Sequence, residues 1–552
     1  MSDIGETSPP STQDPSGAHG EAQLGRAARS FSLVTLVSRF GGLIREVLMA
    51  RVFGDTALGS SFTVGFAIPN LFRRLFGEGA LSAAFIPEYT RAAQEDRAHA
   101  ERFATMVVGT LGIFTGALTA VLELALLLIL LIAPVDPDRA LSLKLIMLML
   151  PFMPFICMTA IMGGMLQVHG KFGPSASGPI ILNGFIIAVA LWHVFHGTHG
   201  GPATAYALGI ATVLSGVTQA AYFAWLLRRD VHWRRDFDSA RSRGRRMLVK
   251  MGPVLIGLGT LQLNSFVDQL ISMWPIWVGP TILGFTYPLD ERTGIILSAG
   301  QRLYQFPLGV FGIAVATAVF PLLARHADEP EHFLATLRRG LRLSMFIALP
   351  ASVGLVLVRH DAMAVLYSFD SKGFSAEGIA RSAQVLAGYA PAIWAYSLNH
   401  VFTRAFYARG NTRTPMRVAV SMVLLNLALN CTLIWFLRDA GLAWSTSIAA
   451  IVQSCVLGLL CSRMSGTPIL NAEVARAFAK TLLAALAMGA AVWTAQTLMP
   501  AATAWLGHLA RLGVACAVGA SVYPACSIAA RLPELSWLLH RRVPDRANGM
   551  ES

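Results

Sequence analysis

Residues 68–89 read IPNLFRRLFGEGALSAAFIPEY, an apolar stretch in which Arg73, Arg74 and Glu78 stand among leucines, phenylalanines and small residues. Charges at membrane depth cost roughly 2.5–3.5 kcal/mol each on insertion scales, so they occur where they face a cavity or a partner. An arginine pair held there grips phosphate or carboxylate oxygens in bidentate fashion. The stretch points to a membrane protein that handles an anionic substrate within the bilayer.

The rest of the chain has the matching solvent preference. Of its 552 residues 54% are hydrophobic and 14% charged, and the mean hydropathy is +0.56. Long apolar stretches such as 122–133 and 143–165 read as spans, since about 20 apolar residues cross a bilayer. Lys and Arg outnumber Asp and Glu by 44 to 31, giving a pI near 9.9. Basic cytoplasmic loops explain that excess, and no zinc-ligand spacing or basic, aromatic-studded soluble domain supports a nucleic-acid partner.

The expected fold is an all-α polytopic membrane protein of about fourteen transmembrane helices. They are placed near 31–53, 61–88, 104–133, 141–166, 176–196, 203–227, 248–274, 294–324, 338–358, 382–407, 414–437, 441–461, 475–498 and 507–530. Basic residues gather in the loops after even-numbered helices, above all in RRDVHWRRDFDSARSRGRRMLVK (228–250), which places both termini in the cytoplasm. Topology anchoring and contact with lipid headgroups account for that run, with partner binding as the alternative.

The run also divides two similar halves. HGKFGPSASGPIILN (169–183) resembles ARGNTRTPMRVAVSMVLLN (408–426), and RRLFGEGALSAAFIPEY (73–89) is echoed more weakly by YQFPLGVFGIAVATAVFPLL (304–323). Two pseudo-symmetric six-helix lobes follow, as in transporters built from repeats. The expected division is a disordered cytoplasmic tail (1–24), an N-lobe (25–229), a basic linker (230–247), a C-lobe (248–465), two further helices (466–532) and a C-terminal cytoplasmic tail (533–552).

Charge inside these spans marks candidate sites. Helix one carries Arg39, Arg45 and Glu46; Arg39 and Glu46 are seven apart and share a face. Gly41 and Gly42 leave room there for a neighbouring helix or headgroup. Gly77 and Gly79 flank Glu78 and permit a local break, and Arg302 is followed by Pro307, a kink candidate. Structural bridges or snorkelling could occupy single arginines. Taken together, Arg39, Arg45, Arg74 and Arg302 outnumber the acids Glu46 and Glu78, which favours a cationic cavity for a phosphate-bearing ligand.

Asp268, Asn426, Asn430 and Thr446 form a second set, able to ligate Na⁺ through oxygen or to act as polar glue between helices. His193, His196 and His199 read as interfacial histidines rather than a metal site, and the six cysteines as small core hydrophobes rather than a disulfide framework. No nucleotide loop, nucleophile elbow or HExxH helix suggests catalysis.

Several motifs resemble the MurJ/MviN family, lipid II flippases of the multidrug/oligosaccharidyl-lipid/polysaccharide exporter superfamily. They are SRFGGLIRE (38–46), the helix-two stretch, QRLYQFPLGVFGIAVATAVFP (301–321) and FYARGNTRTP (406–415). The resemblance implies a flippase that moves undecaprenyl-diphosphate-linked peptidoglycan precursor from the inner to the outer leaflet of the cytoplasmic membrane. It places Arg39, Arg45, Arg73 and Arg302 at the central cavity, with Glu78 in the helix-two motif, and makes helices thirteen and fourteen a groove for the polyprenyl tail. It further implies coupling to membrane potential or Na⁺, for which the Asp268 set is the counterpart, and allows partners in cell-wall synthesis.

Ser60 and Ser61 stand where the family usually has an Asp, as does Gln301, and the outer loop 275–292 is longer than usual. Losing two acids makes the cavity more cationic. Other lipid-linked oligosaccharides, a membrane enzyme of polyprenyl phosphates and a silent scaffold of wall synthesis remain alternative readings.

Overall fold

Apolar segments that leave water must satisfy their backbone hydrogen bonds internally, and this chain does so almost wholly as helix. The computed structural model describes residues 15–75, 80–198, 200–234, 236, 240–369 and 373–539. The first half contains α1 (Pro15–Phe53), α2 (Ala57–Phe72), α3 (Ala80–Glu95), α4 (Arg97–Ile132), α5 (Pro137–Met149), α6 (Phe152–Val168), α7 (Phe172–Ser175), α8 (Gly178–Phe195) and α9 (Pro202–Leu227). Then follow α10 (Arg241–Ser272), α11 (Trp274–Trp277), and a hairpin of β1 (Thr281–Ile282) and β2 (Phe285–Thr286).

The second half runs through α12 (Thr293–Pro307), α13 (Ile313–Arg325), α14 (Pro330–Tyr367), α15 (Ala376–Tyr389), α16 (Ile393–Ala408), α17 (Arg413–Leu437) and α18 (Asp439–Ser465). It closes with α19 (Ala472–Leu498), α20 (Trp505–Ala529) and α21 (Pro533–Leu539). Among the described residues nine segments are long and apolar enough to cross a membrane. The all-α polytopic membrane fold is the one the sequence leads to.

Four of the expected spans are broken. A π-type turn at 73–75 follows α2, and another at Leu308–Gly312 separates α12 from α13 just after Pro307. Pro151 divides α5 from α6, and a single 3₁₀ turn containing Pro391 divides α15 from α16. Proline lacks the N–H and clashes with the preceding turn, which favours the interruptions at Pro151, Pro307 and Pro391. The π-turns at Arg73 and Leu308 stand 235 positions apart and the two prolines 240, the spacing of the repeats seen in the sequence. At the N-terminus α1 begins at Pro15, inside the segment expected to be tail. Proline suits a first helical turn, and the Glu, Ala, Gln, Leu and Arg that follow are helix formers.

One apolar cluster is built from residues between Met49 and Met247 and another from residues between Val315 and Leu532. α10 joins the two halves: Arg243 pairs with Glu95 at the end of α3, while Asp268 bonds to Asn430 on α17. The outward surface is apolar, with Ile113, Leu131 and Ile132 on α4 and Leu483, Leu486 and Trp493 on α19 all exposed, as a lipid-facing surface must be. The six cysteines are free, but Cys431, Cys455 and Cys516 are exposed rather than in the core. In a bilayer, an outward-facing thiol is as well solvated by lipid as by protein.

Candidate central cavity and polar cluster

A cavity of about 790 Å³ lies between α1, α2, α6, α8, α9, α10 and α12. Arg45, Arg73, Arg74 and Arg302 line it with Glu46, together with neutral polar side chains such as Asn70, Gln167, Gln219, Gln269 and Gln305. Glu46 on α1 accepts from Arg45 Nη2 at 2.9 Å and also pairs with Arg302 on α12. Arg45 Nη1 donates to Asn183 Oδ1 on α8 at 3.1 Å, and its guanidinium lies 5.3 Å from the Phe66 ring centroid. Asn183 Nδ2 in turn donates to the Ser38 carbonyl, and a Cβ on Gly41 would come within 3.3 Å of that amide. Here the glycine admits a neighbouring helix. Arg73 Nε donates to Asn70 Oδ1 at 2.8 Å, one turn earlier on α2.

Arg39 is exposed and does not join the lining. It shares a face with Glu46, but seven residues along a helix are about 10 Å, which sets it nearer the start of α1. Glu78 lies outside the described residues, as does His199. His193 and His196 are engaged locally with Thr198 and the Trp192 carbonyl.

The cavity is closed on the side where α1 ends, called here the far side. Asp55 accepts from the Ser375 backbone N–H and hydroxyl, each at 2.7 Å, and so covers the N-terminus of α15 from across the molecule. A Cβ on Gly378 would fall 2.4 Å from Asp55 Oδ2, so only glycine allows this approach. Ser60 Oγ accepts from the Ile295 N–H at 3.0 Å, satisfying an otherwise orphaned donor in the first turn of α12. Gln301, the other departure from the family pattern, donates to the Tyr389 hydroxyl at 3.0 Å. Beside this closure Arg381 bridges Asp290 and Asp439. Burial pushes the Asp290 carboxyl up, but hydrogen bonds and charge from Arg381 outweigh it and hold it below the usual range.

The second set does come together. Asn430 Nδ2 donates to Asp268 Oδ1 at 2.6 Å and to Asn426 Oδ1 at 2.9 Å, and Thr446 Oγ1 lies 3.2 Å from Asp268 Oδ2. Turning the Asn426 amide lets its nitrogen donate to Asp268 Oδ1 at 3.2 Å and to Asn264 at 2.9 Å, while its oxygen accepts from Thr446. Asn430 Oδ1 is buried without a hydrogen-bond partner. The cluster thus brings one carboxylate, two amides and a hydroxyl together at the junction of α10, α17 and α18, the chemistry either of a hydrogen-bonded joint or of an oxygen site for a hard cation.

Sequence reasoning did not pick out Asn183, Asp55 or Ser375. A neutral amide in an apolar helix, or an acid beside a turn, carries no signal until its partner across the fold is known. Glu46 was visible as a charge, but not as the shared partner of two arginines.

Membrane-crossing helices with duplicated breaks, gathered round a polar cavity closed on one side, define a membrane transporter. The chain belongs to the lipid II flippase MurJ family, whose family model matches residues 49–512. A probable lipid II flippase MurJ of Rhizobium tropici is 30% identical over 473 residues, 83% of this chain and 84% of that protein. That of Rickettsia prowazekii is 28% identical over 445 residues, 79% and 83% of the two chains. Among solved structures, lipid II flippase MurJ in an inward closed conformation superimposes with a TM-score of 0.72 at 22% identity, covering 91% of this chain and 98% of that one. An inward-facing multidrug resistance MATE transporter of the MOP superfamily gives 0.61 at 14% identity over 79% of this chain and 98% of its own. These two likenesses establish the shared fold.

Proposed function

We propose that this protein is a flippase that carries lipid II, the undecaprenyl-diphosphate-linked peptidoglycan precursor, from the inner to the outer leaflet of the cytoplasmic membrane. The observation that carries this reading is Glu46, shared by Arg45 and Arg302 across the cavity. Two guanidinium groups on one carboxylate leave a positive charge over, and the diphosphate is its natural counter-ion. A charged, sugar-bearing headgroup cannot cross hydrocarbon without such a polar path, whereas the lipid tail never needs to leave the bilayer.

In this reading the start of α1 faces the cytoplasm, and the headgroup enters there while the far side is shut. Arg45, Arg73, Arg74 and Arg302 then hold the diphosphate, with Arg39 nearer the mouth. Parting of Asp55 from Ser375 and of Ser60 from Ile295 releases the headgroup outward. α19 and α20 offer the apolar surface for the tail. Asp268, Asn426, Asn430 and Thr446 would hold Na⁺, whose binding and release supply the coupling, alone or with the membrane potential. The protein acts as a transporter rather than an enzyme, and cell-wall synthesis enzymes are the partners that would consume its product.

The test is replacement of the native lipid II flippase in a depletable bacterial host, with outer-leaflet lipid II probed directly. Wild type is expected to restore growth and outward lipid II. Arg302→Ala, at equal membrane abundance, is expected to restore neither. Failure of a well-expressed wild type would assign the cavity to another lipid-linked oligosaccharide, and rescue by both would remove Arg302 from the mechanism.

A further inference from the structure

At the far-side ends of α14 and α20, remote in sequence from the cavity arginines, three potential metal ligands converge. One ligand atom each from His360, Asp361 and His508 lie within 4.8 Å of one another, and the two imidazole rings are 5.6 Å apart, centre to centre. Two imidazoles bound to one tetrahedral ion have centres about 5 Å apart, given metal–nitrogen bonds near 2.0 Å. His508 Nδ1 and Asp361 Oδ1 share a proton at 2.7 Å.

The other carboxylate oxygen is already oriented. Asp361 Oδ2 accepts from Gln496 Nε2 and from Arg511 Nε, each at 3.4 Å. Arg511 is itself fixed by the carbonyls of Gln496, Met499 and Pro500 at the end of α19. The arginine therefore serves as an outer support for one carboxylate oxygen, as the second layer of many metal sites does, and leaves Oδ1 to the ligand position. Asp361 is buried, His508 half-buried and His360 exposed, so the cluster has a built floor and an open approach.

We propose that His360, Asp361 and His508 bind a divalent transition-metal ion, with Zn²⁺ the best fit. The ion takes the place of the proton held between His508 Nδ1 and Asp361 Oδ1; that proton is released to solvent, and water completes a tetrahedron. A set of two imidazoles and one carboxylate selects Zn²⁺ over Mg²⁺ or Ca²⁺, which require oxygen ligands. Bound metal joins α14 to α20.

The experiment is calorimetric titration of Zn²⁺ into the full chain in detergent, with any histidine tag removed and Mg²⁺ and Ca²⁺ run in parallel. One Zn²⁺ per chain is expected, with proton release and with affinity falling as the pH is lowered. His360→Gln and His508→Gln are each expected to weaken binding by about tenfold or more, whereas His193→Gln leaves it unchanged. Should His508→Gln fail to fold, the exposed His360→Gln decides alone. Absence of stoichiometric Zn²⁺ binding, equal binding of Mg²⁺, or binding indifferent to His360→Gln would overturn the site.

Discussion

Glu46 sets the charge of the cavity, and its removal separates binding from release. Glu46→Gln leaves Arg45 and Arg302 without their shared carboxylate. Because the pair is open to the cavity, the expected loss of stability in the empty protein is small, about 1 kcal/mol. Affinity for lipid II is expected to rise several-fold while flipping slows, since a more cationic site holds a diphosphate longer. Melting curves with and without lipid II check this: the ligand should raise the variant's melting temperature more than the wild type's, and an equal rise would separate these arginines from the ligand. Ser60 makes a second residue-scale case. Ser60→Ala orphans the Ile295 N–H at a cost of about 1–3 kcal/mol to the closed form, whereas Ser60→Asp restores a stronger acceptor at a helix N-terminus. Accessibility of the far side to an impermeant thiol reagent is therefore expected to rise in the first and fall in the second. The cavity arginines were legible in the sequence because a charge at membrane depth has few bland explanations. Asn183 was not, because an amide is cheap enough to bury in many places.

The broken helices show what a sequence reveals at the scale of an element. Pro307 marked the break before α13; Gly77 and Gly79 lie outside the described residues, and the second span already gives way to a π-type turn at Arg73. The interruptions at Pro151 and Pro391 passed unnoticed inside strongly apolar runs, where hydropathy hides a change of helix direction. The closure made by Asp55 was hidden altogether, because its partner lies 320 residues away. It has a direct test. Gly378→Ala places a methyl 2.4 Å from Asp55 Oδ2 and must push the carboxylate off the α15 N-terminus. Losing hydrogen bonds to a charged group costs about 1.5–3 kcal/mol, a shift of about tenfold or more away from the closed form. With the six native cysteines replaced by alanine, labelling of Ser61→Cys by an impermeant maleimide is expected to rise accordingly. Unchanged labelling would mean that the far side is held by other contacts. The hairpin offers a local contrast: Leu283 has φ +48° in a two-residue turn with Gly284 at φ +85°. Leu283→Asn, which tolerates that conformation better, is expected to stabilise the chain by about 1 kcal/mol in thermal unfolding.

Across the whole molecule, the duplication relates two polar sites of opposite charge. In the first half α1 brings Arg45 to Asn183 on α8; in the second, α10 brings Asp268 to Asn426 and Asn430 on α17. The segments carrying Asn183 and Asn426 are those whose likeness was visible in the sequence. One half therefore seats a guanidinium, fixed to the chain, beside an amide oxygen, while the other seats a carboxylate with an amide oxygen that lacks a donor. A diffusible cation in the second site would complete the correspondence. On this ground Na⁺ is expected to raise the melting temperature of the wild type, and K⁺ at equal ionic strength to raise it less. A ligand at one hundred times its Kd stabilises by about 2.7 kcal/mol, so the shift is measurable at modest affinity. Asp268→Asn keeps the shape and a hydrogen-bonding oxygen but removes the charge, and is expected to abolish the Na⁺ shift while leaving the fold intact. Flipping by that variant should then be insensitive to Na⁺. Retention of the shift in Asp268→Asn, or equal shifts with K⁺, would reduce the cluster to a hydrogen-bonded joint between α10, α17 and α18. The driving force would then have to act through the cavity itself, where Glu46 and the arginines carry the charge that a membrane potential can move.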